Sequence, residues 1–180
     1  MSLLLAAAAA GVHYLLGGGW IQSALNAGNA IAMHLRGAGV ALPLYGDTIA
    51  IYMNDSTIDY AHVIQFAFAA QHVDSSYYNQ LKGNDLKAYF EGQAVHQIDV
   101  AGNAESIFYP LEKDGAKVGL NETKSGFLTI WVKDNKLDKL KIWPSPVGSM
   151  TPIPDLKPDQ KMLKDFYWFD YLRPKNKDDI

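Results

Sequence analysis

From Gly46 onward, apolar and polar residues alternate along the chain. Ile49, Ile51 and Met53 fall on one side of the pattern, with Ala50, Tyr52 and Asn54 on the other. A period of two is the signature of a β-strand. Asn54-Asp55-Ser56 then reads as a turn, because short polar side chains accept turn geometry. A second strand returns through Ile58, Ala61 and Val63. The arrangement recurs: Leu86, Ala88 and Phe90 lead into Glu91-Gly92-Gln93, and Val95, Ile98 and Val100 return. It recurs again with Leu128, Ile130 and Val132, the turn Lys133-Asp134-Asn135, and Leu137, Leu140 and Ile142. Counted from Met53, Phe90 and Val132, apolar residues fill the fifth, eighth and tenth following positions each time. This is an internally repeated β-hairpin. The odd step of three between the first two returning positions breaks alternation and predicts a bulge entering each returning strand.

Other stretches are less regular. Residues 60–73 have a helix-compatible composition, but the neighbouring alternation favours strand. Residues 104–109 and 118–120 are candidate strands, divided by the polar turn at 112–115. Pro144, Pro146, Pro152, Pro154 and Pro158 end regular pairing, since proline donates no ladder hydrogen bond. Pro158 can open a helix, and Met162, Leu163, Phe166 and Phe169 fall at helical spacing. The pattern predicts a short amphipathic helix over 158–168 docked on the sheet. A solvated tail follows and stops as a truncated chain would.

Residues 1–45 have a different texture, rich in Ala and Gly, with Arg36 as their single charged residue. The tract lacks the basic start of a secretory signal. Glycine, Gln22, Asn26 and Asn29 interrupt every run approaching the ~20 apolar residues of a spanning helix. It reads as an Ala-rich leader or helix pair, as further strands of the same sheet, or as a stretch whose side-chain identities are understated.

Composition narrows the chemistry. The 180 residues are 48% hydrophobic, enough for one folded domain with a core. A net charge of -3 argues against nucleic acid as a partner. With no cysteine, disulfides and thiolate zinc sites are excluded. His13, His34, His62, His72 and His96 show no metal-helix spacing, so no metal, cofactor or catalytic residue is expected. Gly37-Ala38-Gly39 lacks the third glycine of a dinucleotide fingerprint. Ser125-Gly126 and Gly148-Ser149 read as turn residues, not a nucleophile elbow. Asn121-Glu122-Thr123 matches a glycosylation acceptor, a common pattern. Trp131 and Trp143 are candidate platforms for stacking on sugars, while Phe166, Trp168 and Phe169 read as packing residues.

Short segments carry a family likeness. They are Gly46-Asp47-Thr48, Asn79-Gln80-Leu81-Lys82-Gly83, Leu86-Lys87-Ala88-Tyr89-Phe90 and Val100-Ala101-Gly102-Asn103-Ala104, with the ending Trp168-Phe169-Asp170-Tyr171-Leu172-Arg173-Pro174-Lys175. On these, residues 46–180 resemble the OstA-like family of periplasmic lipopolysaccharide-transport proteins. The resemblance implies a β jelly-roll, two antiparallel sheets shaped like a folded taco, with no catalytic residues. It implies a periplasmic protein of outer-membrane biogenesis whose apolar interior shields acyl chains of lipopolysaccharide or another lipid. It also implies stacking through sheet edges, with other envelope transport proteins or with further copies of itself. Residues 1–45 depart from the family's unit.

The expectation is therefore a mainly β protein in three parts: the segment 1–45, a β domain over 46–154, and a helix with tail over 155–180. The residues expected to line a lipid trough are Ile51, Met53, Leu86, Phe90, Ile98, Val100, Leu128, Ile130, Val132, Leu140 and Ile142. Periodicity leaves open whether that face is an open trough or a closed core. The alternatives are a carbohydrate-binding module and a structural β domain of an envelope assembly. An enzyme is not expected.

Overall fold

The computed structural model describes residues 2–4, 14–16, 19–27, 30–37 and 40–168, apart from 55, 56, 93 and 135, with side chains from residue 43 onward. The described chain is mainly β. The strands are β1 (Ser2–Leu4), β2 (Tyr14–Leu16), β3 (Gly19–Ala27), β4 (Ala30–Gly37), β5 (Val40–Gly46) and β6 (Thr48–Asn54). They continue as β7 (Thr57–Asp74), β8 (Tyr77–Glu91), β9 (Ala94–Phe108), β10 (Gly119–Lys133), β11 (Lys136–Trp143) and β12 (Val147–Pro152). All belong to one antiparallel sheet with the main order β11-β10-β9-β8-β7-β5-β4-β3-β2. The Ala/Gly-rich segment thus supplies β1 to β4 and most of β5, and neither a leader helix nor a helix pair is seen among its described residues.

The three repeated hairpins are β6/β7, β8/β9 and β10/β11. In each, two residues separate the last paired positions, Asn54↔Thr57, Glu91↔Ala94 and Lys133↔Lys136. Gly92 and Asp134 take positive φ, as two-residue turns matching strand twist require. The bulges fall where the three-residue step puts them. Tyr52 pairs with Tyr60 and Met53 with Ile58, leaving Asp59 extra. His96 and Asp138 are the extra residues of the other two hairpins. Residues 60–73 are strand, within β7.

The sequence pattern predicts a separate strand at 104–109 and a turn at Ser125-Gly126, whereas the structure carries β9 and β10 through these places. Residues 104–109 are not a separate strand but, through Phe108, the second half of β9, joined to the first across Gly102 and Asn103 at φ 74° and 51°. Register shifts fall side by side at Gln65-Phe66 in β7, Gly83-Asn84 in β8, Gly102-Asn103 in β9 and Gly126 in β10. Gly46-Asp47, between β5 and β6, joins this line, with the Asp47 N–H donating to Gln65 O at 3.0 Å. At the outer edge it meets the break between β11 and β12 at 144–146. Ser125-Gly126 is therefore part of a bulge, and Gly148-Ser149 lies inside β12, so neither pair is a simple turn. Every long strand is divided into two arms by a bend.

The arms differ. β6 and β11 belong to the arm that carries the repeated hairpins and β5 and β12 to the other, and the sheet continues beyond them through β1 on β6 and β4 on β5. One apolar cluster holds Ile49, Ile51, Val63, Leu86, Val100 and Leu128 from the hairpin arm with Leu44, Ala69, Leu81 and Ala104 from the second. A separate cluster forms on the opposite face of the second arm, where Tyr45, Phe68, Ile107, Tyr109 and Leu120 meet Leu163 and Phe166.

The helix expected over 158–168 does not form. Two 3-10 turns, Ile153–Asp155 and Pro158–Gln160, are the helical pieces among the described residues. Pro154 and Pro158 remove donors, Asp165 sits at φ 69°, and a helix this short has little stability of its own. The backbone is held by the sheet instead. Buried Gln80 donates its amide to Lys161 O at 2.9 Å and accepts from the Leu163 N–H at 2.8 Å. The segment still docks through Leu163 and Phe166, but Met162 is 44% exposed. Residues 169–180, with Phe169, Tyr171 and the expected tail, lie outside the described residues.

Candidate functional site

The registers turn the sequence repeat into rows. Ile49, Val63, Leu86, Val100, Leu128 and Ile142 stand side by side across six strands. Two residues further from the bend stand Ile51, Ala61, Ala88, Ile98, Ile130 and Leu140. Nearest the hairpin turns are the pairs Met53↔Ile58, Phe90↔Val95 and Val132↔Leu137. All eleven residues expected to line a trough fall on these rows, one face of the hairpin arm.

They do not all share one environment. Ile51, Leu86, Val100 and Leu128 are at most 2% exposed and belong to the closed core. Met53 packs against its rim. Ile142 is half-buried and, like Met53, lies off the cavity. Phe90, Ile98, Ile130, Val132 and Leu140 line a cavity of about 140 Å³. Leu140 is 40% exposed, which places the β11 side of the cavity near solvent. So the face is closed core near the bend and open cavity toward the hairpin turns.

The opposite wall of the cavity was missed. It includes Ala69, Leu81, Ser106, Phe108, Asn79 and Asn121, all from the second arm. Leu81 and Phe90 are nine residues apart on β8, which would be about 30 Å on a straight strand. The bend at Gly83-Asn84 is what lets both line one space. Val95 and Leu137 also line it. Both sit at the fifth position of the repeat, so the sequence already marked them. No periodic pattern in the sequence marked the second arm as a cavity wall, because its cavity-facing residues mix apolar and polar types.

Polar groups on that wall are partly engaged. Asn79 donates to Gln71 Oε1 at 3.1 Å and accepts from the Tyr109 N–H at 2.9 Å. Thr123 Oγ1 donates to Asn121 Oδ1 at 3.1 Å. Asn121 therefore serves the cavity wall, whatever its match to a glycosylation pattern.

Trp131 and Trp143 alternate with the cavity-lining residues and so face away from the cavity. Trp143 is 36% exposed and stacks on Phe127 with centroids 5.6 Å apart and planes 17° apart. Lys141 Nζ lies 4.5 Å from its ring centre, and Lys139 Nζ lies 5.6 Å from that of half-buried Trp131. These ring faces are engaged by neighbours within the sheet. Trp168 packs against Tyr78 at 4.7 Å and His72 at 5.9 Å.

Burial shapes the titration of two tyrosines outside the cavity. Burial, then the Tyr77 hydroxyl nearby, pushes Tyr109 from 10.0 up to about 12. Tyr45 is raised as well, by burial, against the opposing effect of the Tyr167 N–H it accepts at 3.1 Å. Among the described residues no three His, Asp or Glu side chains are grouped to hold a metal ion. No described helix is long and apolar enough to cross a membrane. Comparison with protein-family models, with curated proteins and with solved structures finds no match.

Proposed function

We propose that this chain is a non-enzymatic lipid-binding scaffold that shelters acyl chains between the two arms of its bent sheet. The observation that carries the reading is the cavity, walled on one side by the apolar rows of a hairpin repeated three times. Moving a methylene group from water to such a wall is worth ~0.8 kcal/mol, so a carrier needs apolar surface and no reactive groups. On this reading the arms act as the halves of a folded taco, and the lipid enters on the β11 side.

The resemblance to OstA-like proteins extends the proposal to lipopolysaccharide as the lipid and the periplasm as the place. β11 and β12 each pair on one side among the described residues, so their other edges can accept a strand from an envelope partner or a second copy. The carbohydrate alternative is weaker, because the Trp131 and Trp143 faces are taken up within the sheet.

The test is a photoreactive phenylalanine analogue placed at Phe90 or at Ile130, with a third placement at exposed Val147 as control. Crosslinking to lipopolysaccharide from the two cavity positions and not from 147 is expected. Equal yields from all three positions, or none from the cavity, would remove the proposal.

A further inference from the structure

Building on the acyl-chain reading above, we infer that Ser106, with Asn121, forms a hydrogen-bonding anchor for the amide or ester carbonyl of one acyl chain. Ser106 is 5% exposed and lines the cavity. Its neighbours in register are Leu81 and Thr123, both buried on the same face. Thr123 satisfies its hydroxyl on Asn121, whereas the Ser106 hydroxyl makes no hydrogen bond to any described residue. The Asn121 Nδ2 amide, also on the cavity wall, is likewise without a bond to a described residue, its oxygen being used by Thr123. A buried hydroxyl left unbonded loses its hydration without compensation, so such groups mark places where a partner binds.

The two donors stand on neighbouring strands, Asn121 two residues along β10 from Thr123, the residue opposite Ser106. Such diagonal neighbours are about 7–8 Å apart, close enough to bracket one carbonyl group. Across the cavity stand Phe90, Ile98, Ile130 and Leu140, which offer a chain nothing but apolar surface. The ligand that fits both walls has a hydrocarbon tail for the hairpin arm and a neutral acceptor for the second arm. A free carboxylate fits less well, because no cationic side chain stands on the Ser106 wall and Lys136 lines the cavity from β11, on the hairpin arm.

Size sets the number of chains. An apolar cavity of ~150 Å³ accepts a benzene molecule, about six carbons. The 140 Å³ here therefore takes a stretch of one acyl chain next to its carbonyl, not several chains side by side.

The test compares two soluble amphiphiles with matched tails, decanoyl-N-methylglucamide, which has an acyl carbonyl, and decyl glucoside, which has none. Each is titrated calorimetrically into the full chain below its micelle concentration. The wild type should prefer the glucamide by roughly 3- to 10-fold, the worth of one hydrogen bond. Ser106→Ala should abolish that preference while leaving decyl glucoside affinity unchanged. An undiminished preference in Ser106→Ala overturns the anchor and leaves the lipid-binding reading standing. Failure of both amphiphiles to bind the wild type overturns both. Should Ser106→Ala lose both ligands, Asn121→Ala carries the same comparison, and a retained preference there is the refuting result.

Discussion

Replacing Gly83 with alanine tests the bend directly. Gly83 is buried at the point where β8 turns from one arm to the other. Its φ is not in the left-handed region, so alanine meets no backbone strain. The obstacle is space. A Cβ built there would collide with Val100 Cγ1 and would stand 3.3 Å from Gly102 O. Val100 cannot yield easily. It is 2% exposed, its χ1 is stiff, and it is packed in the row containing Leu86 and Leu128. Overpacking of this kind costs about 1–3 kcal/mol. Val100→Ala alone removes buried methyl groups and should cost roughly 2 kcal/mol. In the double variant the new methyl occupies part of the space that Val100 gives up. Its loss of stability should then fall short of the sum of the singles by about 1 kcal/mol or more. Urea unfolding followed by circular dichroism measures all four proteins. Additivity within about 0.5 kcal/mol would mean that Gly83 is not held by this contact, and the reasoning about the bend would fail.

Three further outcomes are expected. Leu86→Ala, at a position with no exposure, should cost about 3–5 kcal/mol in urea unfolding, whereas Leu140→Ala on the 40%-exposed edge should cost under about 1 kcal/mol. Gln80→Leu strands the Leu163 N–H and leaves Lys161 O with only the long 3.5 Å bond from the Tyr109 hydroxyl, so it should cost about 1–3 kcal/mol and speed tryptic cleavage after Lys161 and Lys164; an unchanged digestion rate would show that the segment is held elsewhere. Tyr109 titrates near 12 when folded and 10.0 when unfolded, so its contribution is complete below pH 10 and is lost as pH rises to about 12. Tyr109→Phe should flatten the fall in urea midpoint between pH 9 and 11, and a variant as steep as the wild type would refute the assignment.

The hairpin arm was legible because its residues obey a local rule. Apolar positions alternate, two-residue turns follow, and one odd step recurs at Asp59, His96 and Asp138. Those offsets are also the cross-strand registers, so the rows could be read without knowing the fold. The bends were not legible, because Gly102-Asn103 has the same composition as a turn that ends a strand. What distinguishes the two is whether neighbouring strands bend at the same level, and that depends on pairing. The second arm was lost with the bends, since its Ser106, Thr123 and Asn121 look like solvated strand positions until the opposite wall is known. The stretch 158–168 has helical spacing, yet Gln80, some eighty residues earlier, takes up its backbone groups. Only a tertiary contact could reveal that.

The aligned bends also bear on how such a chain can change length. Side-chain direction alternates within an arm, so a single inserted residue there would turn an apolar row outward as far as the bend. An insertion at the bend itself can be absorbed as a larger bulge, leaving both arms in phase. The line of glycines and asparagines thus acts as a phase boundary. Adding residues in pairs beyond it would deepen the apolar wall while Ser106 and Asn121 stayed in place. A longer hydrocarbon compartment and an unchanged polar wall could then be reached by separate steps, in evolution or by engineering.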